Sequence, residues 1–201
     1  MSPARYAMRY ESKFTTGLSD DELDKLLHEP RVHPHGTWPG NICVGLAEMI
    51  VREIQPVMIN ASQVRRPTFV EIGRCRGIST EVFARFLPRW VRFISVDIEP
   101  PQAEALERLK DLNVEIVTAS SVDFAATFAD ASIDGFYADG GHEEPEVHAD
   151  LDAWVKKVRP GGVATGHDYF LGWKSVMKAV DKFFDRVPDV VYGDTSWVVR
   201  L

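Results

Sequence analysis

The stretch Phe69–Thr80 constrains the fold of this chain more than any other. It begins as an apolar run with an acid near its end, and it passes into a loop with two glycines four residues apart. Ser79 or Thr80 can then cap a following helix. Glycine lets the backbone turn sharply and approach a ligand closely, and a helix N-terminus offers free N–H groups. The stretch therefore predicts a strand, a tight loop and a helix that hold a charged, nucleotide-like ligand.

The glycine spacing distinguishes this loop from a dinucleotide-binding loop. The dinucleotide fingerprint is G-x-G-x-x-G and surrounds a pyrophosphate, whereas this chain has Glu71-x-Gly73-x-x-x-Gly77-x-Ser79. A nicotinamide-dependent oxidoreductase is therefore disfavoured. An ordinary strand-to-helix turn also contains glycines, so the loop alone leaves that alternative open. If the loop holds a ligand, a valine at Gly73 is expected to enter the ligand's space while the fold persists.

Strands and helices alternate from Thr68 onward, which predicts an α/β fold with a parallel sheet covered on both faces. Two closing strands joined by Gly193-Asp194-Thr195 predict a hairpin that inserts one antiparallel strand. The predicted strands cover 68–72, 91–96, 114–117, 133–138, 162–166, 190–192 and 196–199, and the last helix covers 173–186.

The first 62 residues predict a helical accessory segment ahead of a main domain over 63–201. A short helix is expected over 19–28, an ordered loop rich in Pro, Gly and His over 31–40, and a longer helix over 42–57. Aromatic and histidine side chains in and beyond this segment either cover a substrate or simply pack, and the sequence leaves both readings open. They are His33, His35, Trp38 and Trp173.

Length and charge exclude several classes of protein. At 201 residues the chain is most simply one domain, and a net charge of −7 argues against nucleic-acid or anionic-membrane binding. No apolar run approaches the ~20 residues that span a bilayer, and the N-terminus lacks the apolar core of a secretory signal. Two cysteines form no disulfide framework and suit a reducing compartment. We expect a cytoplasmic protein, and the composition neither requires nor excludes a homo-oligomer.

Polar side chains follow the strands at the edge of the sheet where ligands bind in open parallel sheets. Asp97 ends the second strand, twenty residues after Gly77. An acid there can accept hydrogen bonds from both hydroxyls of a ribose, although a turn or helix-capping aspartate is the alternative. The other residues in this position are Glu71, Ser120, Ser121, Asp139, His142, His167 and Asp168.

Five short motifs make the pattern more specific. They are Asp139-Gly-Gly-His142, Asp150-Leu-Asp-Ala-Trp154, Arg159-Pro-Gly-Gly162, His167-Asp-Tyr169 and a tail comprising 176–184 and 195–198. With the glycine loop, they resemble one branch of the class I S-adenosylmethionine (SAM) methyltransferases, related to sugar and natural-product O-methyltransferases (methyltransferase domain 24-like). The resemblance covers about residues 67–201.

The resemblance implies a Rossmann-like, doubly wound sheet of seven strands, mostly parallel with an antiparallel terminal strand. It also implies SAM as cofactor and a small-molecule acceptor, most simply a hydroxyl oxygen. Ser120 and Ser121 would lie beside the adenine, where a turn serine is an equal alternative. The residues expected to bind the cofactor are Glu71, Gly73, Arg74, Gly77, Ser79, Asp97, Ser120, Ser121 and Asp139.

The acids and histidines after the fourth and fifth strands are the expected catalytic group. His142 or His167 would take the proton of the substrate hydroxyl and Asp139 would orient the imidazole. Some members of the resembled branch use a divalent cation, and Asp139 and Asp168 match two of its ligand positions. Gly141 stands where metal-using members often have an acid, and mixed nitrogen and oxygen ligation suits a transition ion better than magnesium.

Two other functions remain open at this stage. A module of the same fold can bind SAM without transferring its methyl group, because fold does not fix function. A metal-dependent hydrolase or hydroxylase can also use this scaffold, and it would act without SAM. The acids and histidines after the last parallel strands argue against the first alternative, and an incomplete ligand set argues against the second.

Overall fold

The computed structural model describes residues 42–201 without a break, together with Asp21, Lys25, 31–33 and 36–38. The helix predicted over 19–28 lies outside the described residues except for Asp21 and Lys25, which are helical. No helix in the described part of the chain is long and apolar enough to cross a membrane.

The centre of the molecule is a seven-stranded sheet. Its strands are β3 (Thr68–Ile72), β4 (Arg92–Asp97), β5 (Glu115–Thr118), β6 (Ile133–Ala138), β7 (Val158–Gly166), β8 (Val190–Val191) and β9 (Trp197–Arg200). Their order in the sheet is β5-β4-β3-β6-β7-β9-β8. The first five of these strands pair in parallel, and β9 pairs antiparallel to both β7 and β8. This confirms the predicted doubly wound sheet with a terminal hairpin.

Helices cover both faces of the sheet, so the strands between them are buried on both sides. In β3 every residue is buried: Phe69 joins the core on one face and Val70 the core on the other. Such doubly covered strands form continuous apolar runs. The helices are α1 (Ile42–Met49), α2 (Gln55–Ser62), α3 (Ile78–Phe86), α4 (Ala103–Leu109), α5 (Ser121–Ala125), α6 (Glu144–Val155) and α7 (Lys174–Phe184), with a 3-10 turn over Leu171–Trp173.

The helix predicted over 42–57 is longer than expected. It runs as α1, a π-helical segment (Ile50–Ile54) and α2, and ends at Ser62. Pro56 lies in the first turn of α2. Proline has no N–H to donate, and a π turn is a common place for a helix to absorb such an irregularity. Ile50 and Ile54 are buried in the same core as Phe69, so this helix covers one face of the sheet.

Three further expectations are corrected by the structure. Residues predicted as an ordered loop form a short antiparallel pair, β1 (Arg31–His33) with β2 (Gly36–Trp38). The fifth parallel strand begins at Val158 rather than 162, because β7 bulges: Ile133 pairs with Val158 but Gly135 pairs with Val163. The Pro-Gly-Gly motif therefore lies within an irregular strand and not before it.

Candidate active site

A cleft of about 770 Å³ opens where the parallel strands end. Its wall on one side is the loop after β3, the end of β4 and the start of α5. On the other side the wall is formed by Trp173 and the turn between β8 and β9, and α1 packs both against this turn and against α3. The residues at the ends of β6 and β7 lie between these two sides. We call the first side the loop end and the second side the hairpin end.

Gly73 and Gly77 have positive φ angles of 89° and 74°, which the loop after β3 requires for its tight turn. A Cβ atom on Gly73 would collide with the backbone carbonyl oxygen of Asp139 at the end of β6. The expectation that valine here would enter the ligand's space while leaving the fold intact is therefore wrong. Gly77 faces Ala105 and Leu109 of α4, so its small size serves helix packing behind the cleft wall.

Glu71 is fully buried beneath the loop. Its carboxylate accepts hydrogen bonds of 2.6 Å from the hydroxyls of Ser79, Thr80 and Ser95. Burial raises the pKa of Glu71 to about 7, although the three hydroxyls act in the opposite direction. Glu71 thus ties β3 and β4 to the start of α3, and it supports the loop from below.

Asp97 lines the cleft and also holds the loop in place. One carboxylate oxygen accepts the backbone N–H groups of Arg74 at 2.7 Å and Cys75 at 2.9 Å, and the other accepts that of Glu99 at 2.8 Å. A carboxylate offers about four acceptor positions. Asp97 therefore combines the turn role with capacity for a ligand hydroxyl.

The side chain of Arg74 is buried and points into the protein. Its guanidinium donates to the carbonyl oxygens of Ser95 at 3.1 Å, Val117 at 3.2 Å and Glu99 at 3.1 Å. These bonds join the ends of β4 and β5, so the arginine stabilises the loop end of the cleft through its side chain.

Ser79, Ser120 and Ser121, which the sequence predicts to bind the cofactor, all line the cleft. Ser120 caps α5 by accepting the backbone N–H of Asp123 at 3.4 Å. The hydroxyl of Ser121 donates to the carboxylate of Asp150, which is buried and also lines the cleft. Both serines are therefore local structural residues as well as part of the wall.

The structure brings the four predicted acids and histidines into one cluster. Asp168 lies between two imidazoles: its Oδ2 is 2.7 Å from Nε2 of His142, and its Oδ1 is 3.3 Å from Nδ1 of His167. The same Nδ1 is 3.9 Å from Oδ1 of Asp139. Asp168 has a left-handed φ of 61°, an uncommon conformation for aspartate that is found at functional sites. Trp173 stacks on His142 with ring centres 4.5 Å apart.

The charges in this cluster shift one another's pKa values. Burial alone would raise the pKa of Asp168, but its contacts with His142 and His167 hold it well below its usual range. Burial disfavours the charged form of His167, but Asp168, Asp139 and Asp194 outweigh it and raise its pKa to about 9. The bond to Asp168 also raises the pKa of His142. Burial raises the pKa of Asp139 to about 6.

Ligand atoms of Asp139, His142 and Asp168 lie within 4.8 Å of one another, so these three side chains can surround a cation. This group contains both of the predicted metal ligands and adds one imidazole nitrogen. His167 lies beside it, but its Nδ1 is turned towards the two aspartates.

Four further residues of the cleft wall were missed by sequence reasoning. Tyr137 precedes Asp139 by two positions, so both side chains leave the strand end on the same side, and this spacing was a usable signal. Asp194 was interpreted only as a turn residue, and Cys43 and Leu46 only as residues of a helix ahead of the sheet. All four line the cleft.

Comparison with known proteins places these residues in a family context. A family model described as a methyltransferase domain matches residues 70–169, about half of the chain. The match begins in β3 and ends after Asp168, so it includes the glycine loop and the acid–histidine cluster. The comparison with curated proteins gives no match.

Solved structures of similar fold include O-methyltransferases. NovP has a TM-score of 0.62 at 17% identity, covering 90% of this chain and 96% of its own. TomG from Streptomyces achromogenes, an O-methyltransferase of tomaymycin synthesis solved with SAM, has a TM-score of 0.53 at 20% identity, with 73% and 78% covered. The cofactor-bound Rv0187 from MTB has a TM-score of 0.53 at 16% identity, with 79% and 87% covered. At these identities the likeness establishes the fold.

Proposed function

The chain belongs to the class I methyltransferases through the methyltransferase domain matched at residues 70–169, and we propose that it transfers the methyl group of SAM to a hydroxyl oxygen of a small molecule. One observation carries this proposal. The loop after β3 and the cluster of Asp139, His142 and His167 open into the same cleft, so a cofactor and a proton acceptor can meet there.

The loop end of the cleft suits SAM in size and chemistry. The whole cleft, with a volume of about 770 Å³, lies within the range of small-molecule sites. Asp97 retains acceptor capacity for a ribose hydroxyl, beside the backbone of the loop. Ile98 and Val122 line the same end with exposed fractions of 72% and 43%, and they offer apolar surface to a base. A ligand that covers these side chains removes apolar surface from water, which favours its binding.

SAM, when bound, supplies a methyl group on a positively charged sulfur, which is already reactive. The protein then needs to align the acceptor hydroxyl and remove its proton. Asp139 suits this task because its side chain is about a quarter exposed and its pKa lies near neutrality. His167 beside it provides compensating positive charge, and Asp168 fixes the orientation of both imidazoles.

Asp139, His142 and Asp168 also fit a divalent cation by ligand type and spacing. Two carboxylates and one imidazole suit a transition ion. A cation there would lower the pKa of the acceptor hydroxyl and orient it, in place of a general base. The hydrogen bond between His142 and Asp168 would then be exchanged for bonds to the ion.

The test has two parts. Calorimetry with SAM and with its demethylated product, S-adenosylhomocysteine (SAH), measures cofactor binding, and a panel of hydroxyl compounds measures transfer. We expect Asp139→Asn to leave SAH binding within about threefold of wild type and to lower turnover by ~10²-fold or more, because only the proton-accepting charge is lost. Asp152→Asn, an exposed carboxylate on α6, serves as control.

The outcomes of this test distinguish the proposed methyl transfer from the alternative functions. Absence of SAM and SAH binding by the wild-type protein refutes the proposal. Binding without transfer to any hydroxyl compound favours a binding module, and SAM-independent, metal-dependent activity favours the hydrolase or hydroxylase alternative. Activity that is lost with a chelator and restored by a divalent ion assigns the cluster to a metal, whereas activity indifferent to chelator assigns it to acid–base chemistry.

A further inference from the structure

We propose that Asp194 selects the methyl acceptor at the hairpin end of the cleft. It favours molecules that present a hydrogen-bond donor there, above all a protonated amine, and it disfavours molecules that present a carboxylate or phosphate. This inference rests on the proposed methyl transfer and adds the chemical class of the acceptor.

Asp194 borders the hairpin end of the cleft. The residue lies in the turn between β8 and β9, three strands along the sheet from β3, and it lines the cleft. Its exposed fraction is only 6%, so it is largely buried where it borders the cleft. Burial raises its pKa, and the nearby charge of His167 acts in the opposite direction.

The carboxylate of Asp194 is held in one position by its neighbours. One oxygen accepts the backbone N–H of Ser196 at 3.1 Å, and the other accepts the Ser196 hydroxyl at 2.8 Å. The hydroxyl of Tyr137 is 3.3 Å from the same serine hydroxyl. From the other side, α1 packs so closely that a Cβ atom on Gly45 would collide with Oδ1 of Asp194 and would be 2.8 Å from its backbone nitrogen. Ser196 uses two acceptor positions of the carboxylate and the backbone N–H of Asp194 itself uses a third, so about one remains for a ligand.

The surrounding charges favour a donor over an anion. Within the described residues, Asp194 makes no ion pair with lysine or arginine. The nearby charge of the His167 imidazole acts to lower the pKa of Asp194, and this imidazole already contacts Asp139 and Asp168. The carboxylates of Asp139, Asp168 and Asp194 outnumber the imidazoles of His142 and His167 around this end of the cleft, so the charge there is negative. An acceptor carrying a carboxylate or phosphate would face like charge on entering.

The basic residues of the cleft wall lie at its opposite end. In the described part of the chain, these are Arg74 and Arg76, both on the loop after β3. The side chain of Arg74 is committed to three backbone carbonyls. The cleft is therefore electrically asymmetric, and an anionic group of the acceptor finds no arginine or lysine at the hairpin end among the described residues.

The remaining walls of the hairpin end define the carbon skeleton that fits. Cys43 and Leu46 of α1 are buried and line the cleft, and Trp173 closes it beside His142. These apolar and aromatic side chains suit a ring compound, because the face of such a ring can pack on the indole of Trp173. The acceptor class that matches is a compact, hydroxyl-bearing ring compound with an amino group or second hydroxyl.

Three phenols of similar size test the proposal: tyramine with a protonated amine, 4-ethylphenol without charge, and 4-hydroxyphenylacetate with a carboxylate. Their Kd values are measured by calorimetry on protein saturated with SAH. We expect tyramine to bind at least about tenfold more tightly than 4-hydroxyphenylacetate, with 4-ethylphenol between them, because a buried carboxylate discriminates by charge.

Substitutions then assign this preference to one residue. In Asp194→Asn the amide keeps the contacts to Ser196, and in Asp194→Ser a hydroxyl retains the turn geometry more weakly. Both variants are expected to bring the ratio of Kd values to within about threefold. Asp189→Asn is the matched control, because this carboxylate lies just before β8 and binds Arg186 and the backbone of Arg200. It should keep the wild-type ratio.

The outcomes separate this proposal from the one it rests on. Failure to bind SAH refutes the proposed function. SAH binding together with an unchanged ratio in both Asp194 variants overturns the role of Asp194 alone. A wild-type protein that prefers the carboxylate compound, or that binds tyramine no better than about 10 mM, overturns it as well.

Discussion

Replacing Glu71 by glutamine should remove a pH dependence of the folding stability. Burial raises the pKa of Glu71 from 4.5 to about 7. Because the folded-state pKa is the higher one, the folded state binds the proton more tightly than the unfolded state. The stability that this proton contributes is fully present below about pH 4.5 and is lost as pH rises through about 7. A difference of about 2.5 pKa units corresponds to about 3 kcal/mol.

Glutamine is a suitable replacement because it resembles the protonated acid. Its carbonyl can accept the hydroxyls of Thr80 and Ser95, which share one carboxylate oxygen, and its amide can donate to Ser79. The variant therefore keeps the links between β3, β4 and α3 but has no charge to bury. Relative to wild type, its free energy of unfolding should increase by up to about 3 kcal/mol between about pH 4 and about pH 8.

Urea denaturation followed by tryptophan fluorescence measures both proteins across this pH range. Glu107→Gln is the matched control, because Glu107 is 74% exposed and pairs with Lys110 at the surface. Its stability difference from wild type should stay within about 0.5 kcal/mol throughout. A flat difference between Glu71→Gln and wild type from pH 4 to pH 8 would show that Glu71 titrates like an exposed acid, and it would refute the reasoning.

Three further substitutions probe the cleft. Gly73→Ala should lower the free energy of unfolding by at least about 2 kcal/mol, whereas Gly161→Ala, at φ 82° with open space around it, should cost about 1 kcal/mol in the same urea titration. Equal losses would contradict the collision at the end of β6. Asp97→Ala should weaken SAH binding in calorimetry by about 1.5–3 kcal/mol and also lower the Tm, because its carboxylate holds the loop as well. An unchanged Kd for SAH would show that Asp97 only holds the loop in its turn. Trp173→Ala should raise KM for the acceptor by about tenfold through loss of the stack on His142, and Trp173→Phe should restore most of it; an unaltered KM in both would remove this ring from the acceptor site.

The alternation of strands and helices was sufficient to predict the sheet, because buried parallel strands leave continuous apolar runs in the sequence. The bounds of β3 and β6 agree with prediction to the residue. That Asp139 and Asp168 lie close together was likewise predictable, because neighbouring parallel strands end at the same edge of the sheet. The sequence could not show the strand order, in which β7 lies two positions from β3 with β6 between them.

Residues whose role depends on packing between distant segments escaped prediction. Glu71 has the local sequence of a ligand-binding acid, yet three hydroxyls enclose it beneath the loop, and two of these come from a helix that had to be placed first. The role of Asp194 depends on the antiparallel insertion of β9 and on the close approach of Gly45. Neither contact leaves a periodic signal in the chain.

The two ends of the cleft come from different parts of the sequence. The loop after β3 and the acid–histidine cluster belong to the continuous stretch that matches the methyltransferase family, whereas Cys43 and Leu46 precede it and Asp194 follows it. A gene library that diversifies only these flanking positions would leave the family-matched stretch unaltered. The chain is therefore a modular starting point for laboratory evolution, in which new acceptors are sought by recombining two short cassettes around a constant centre.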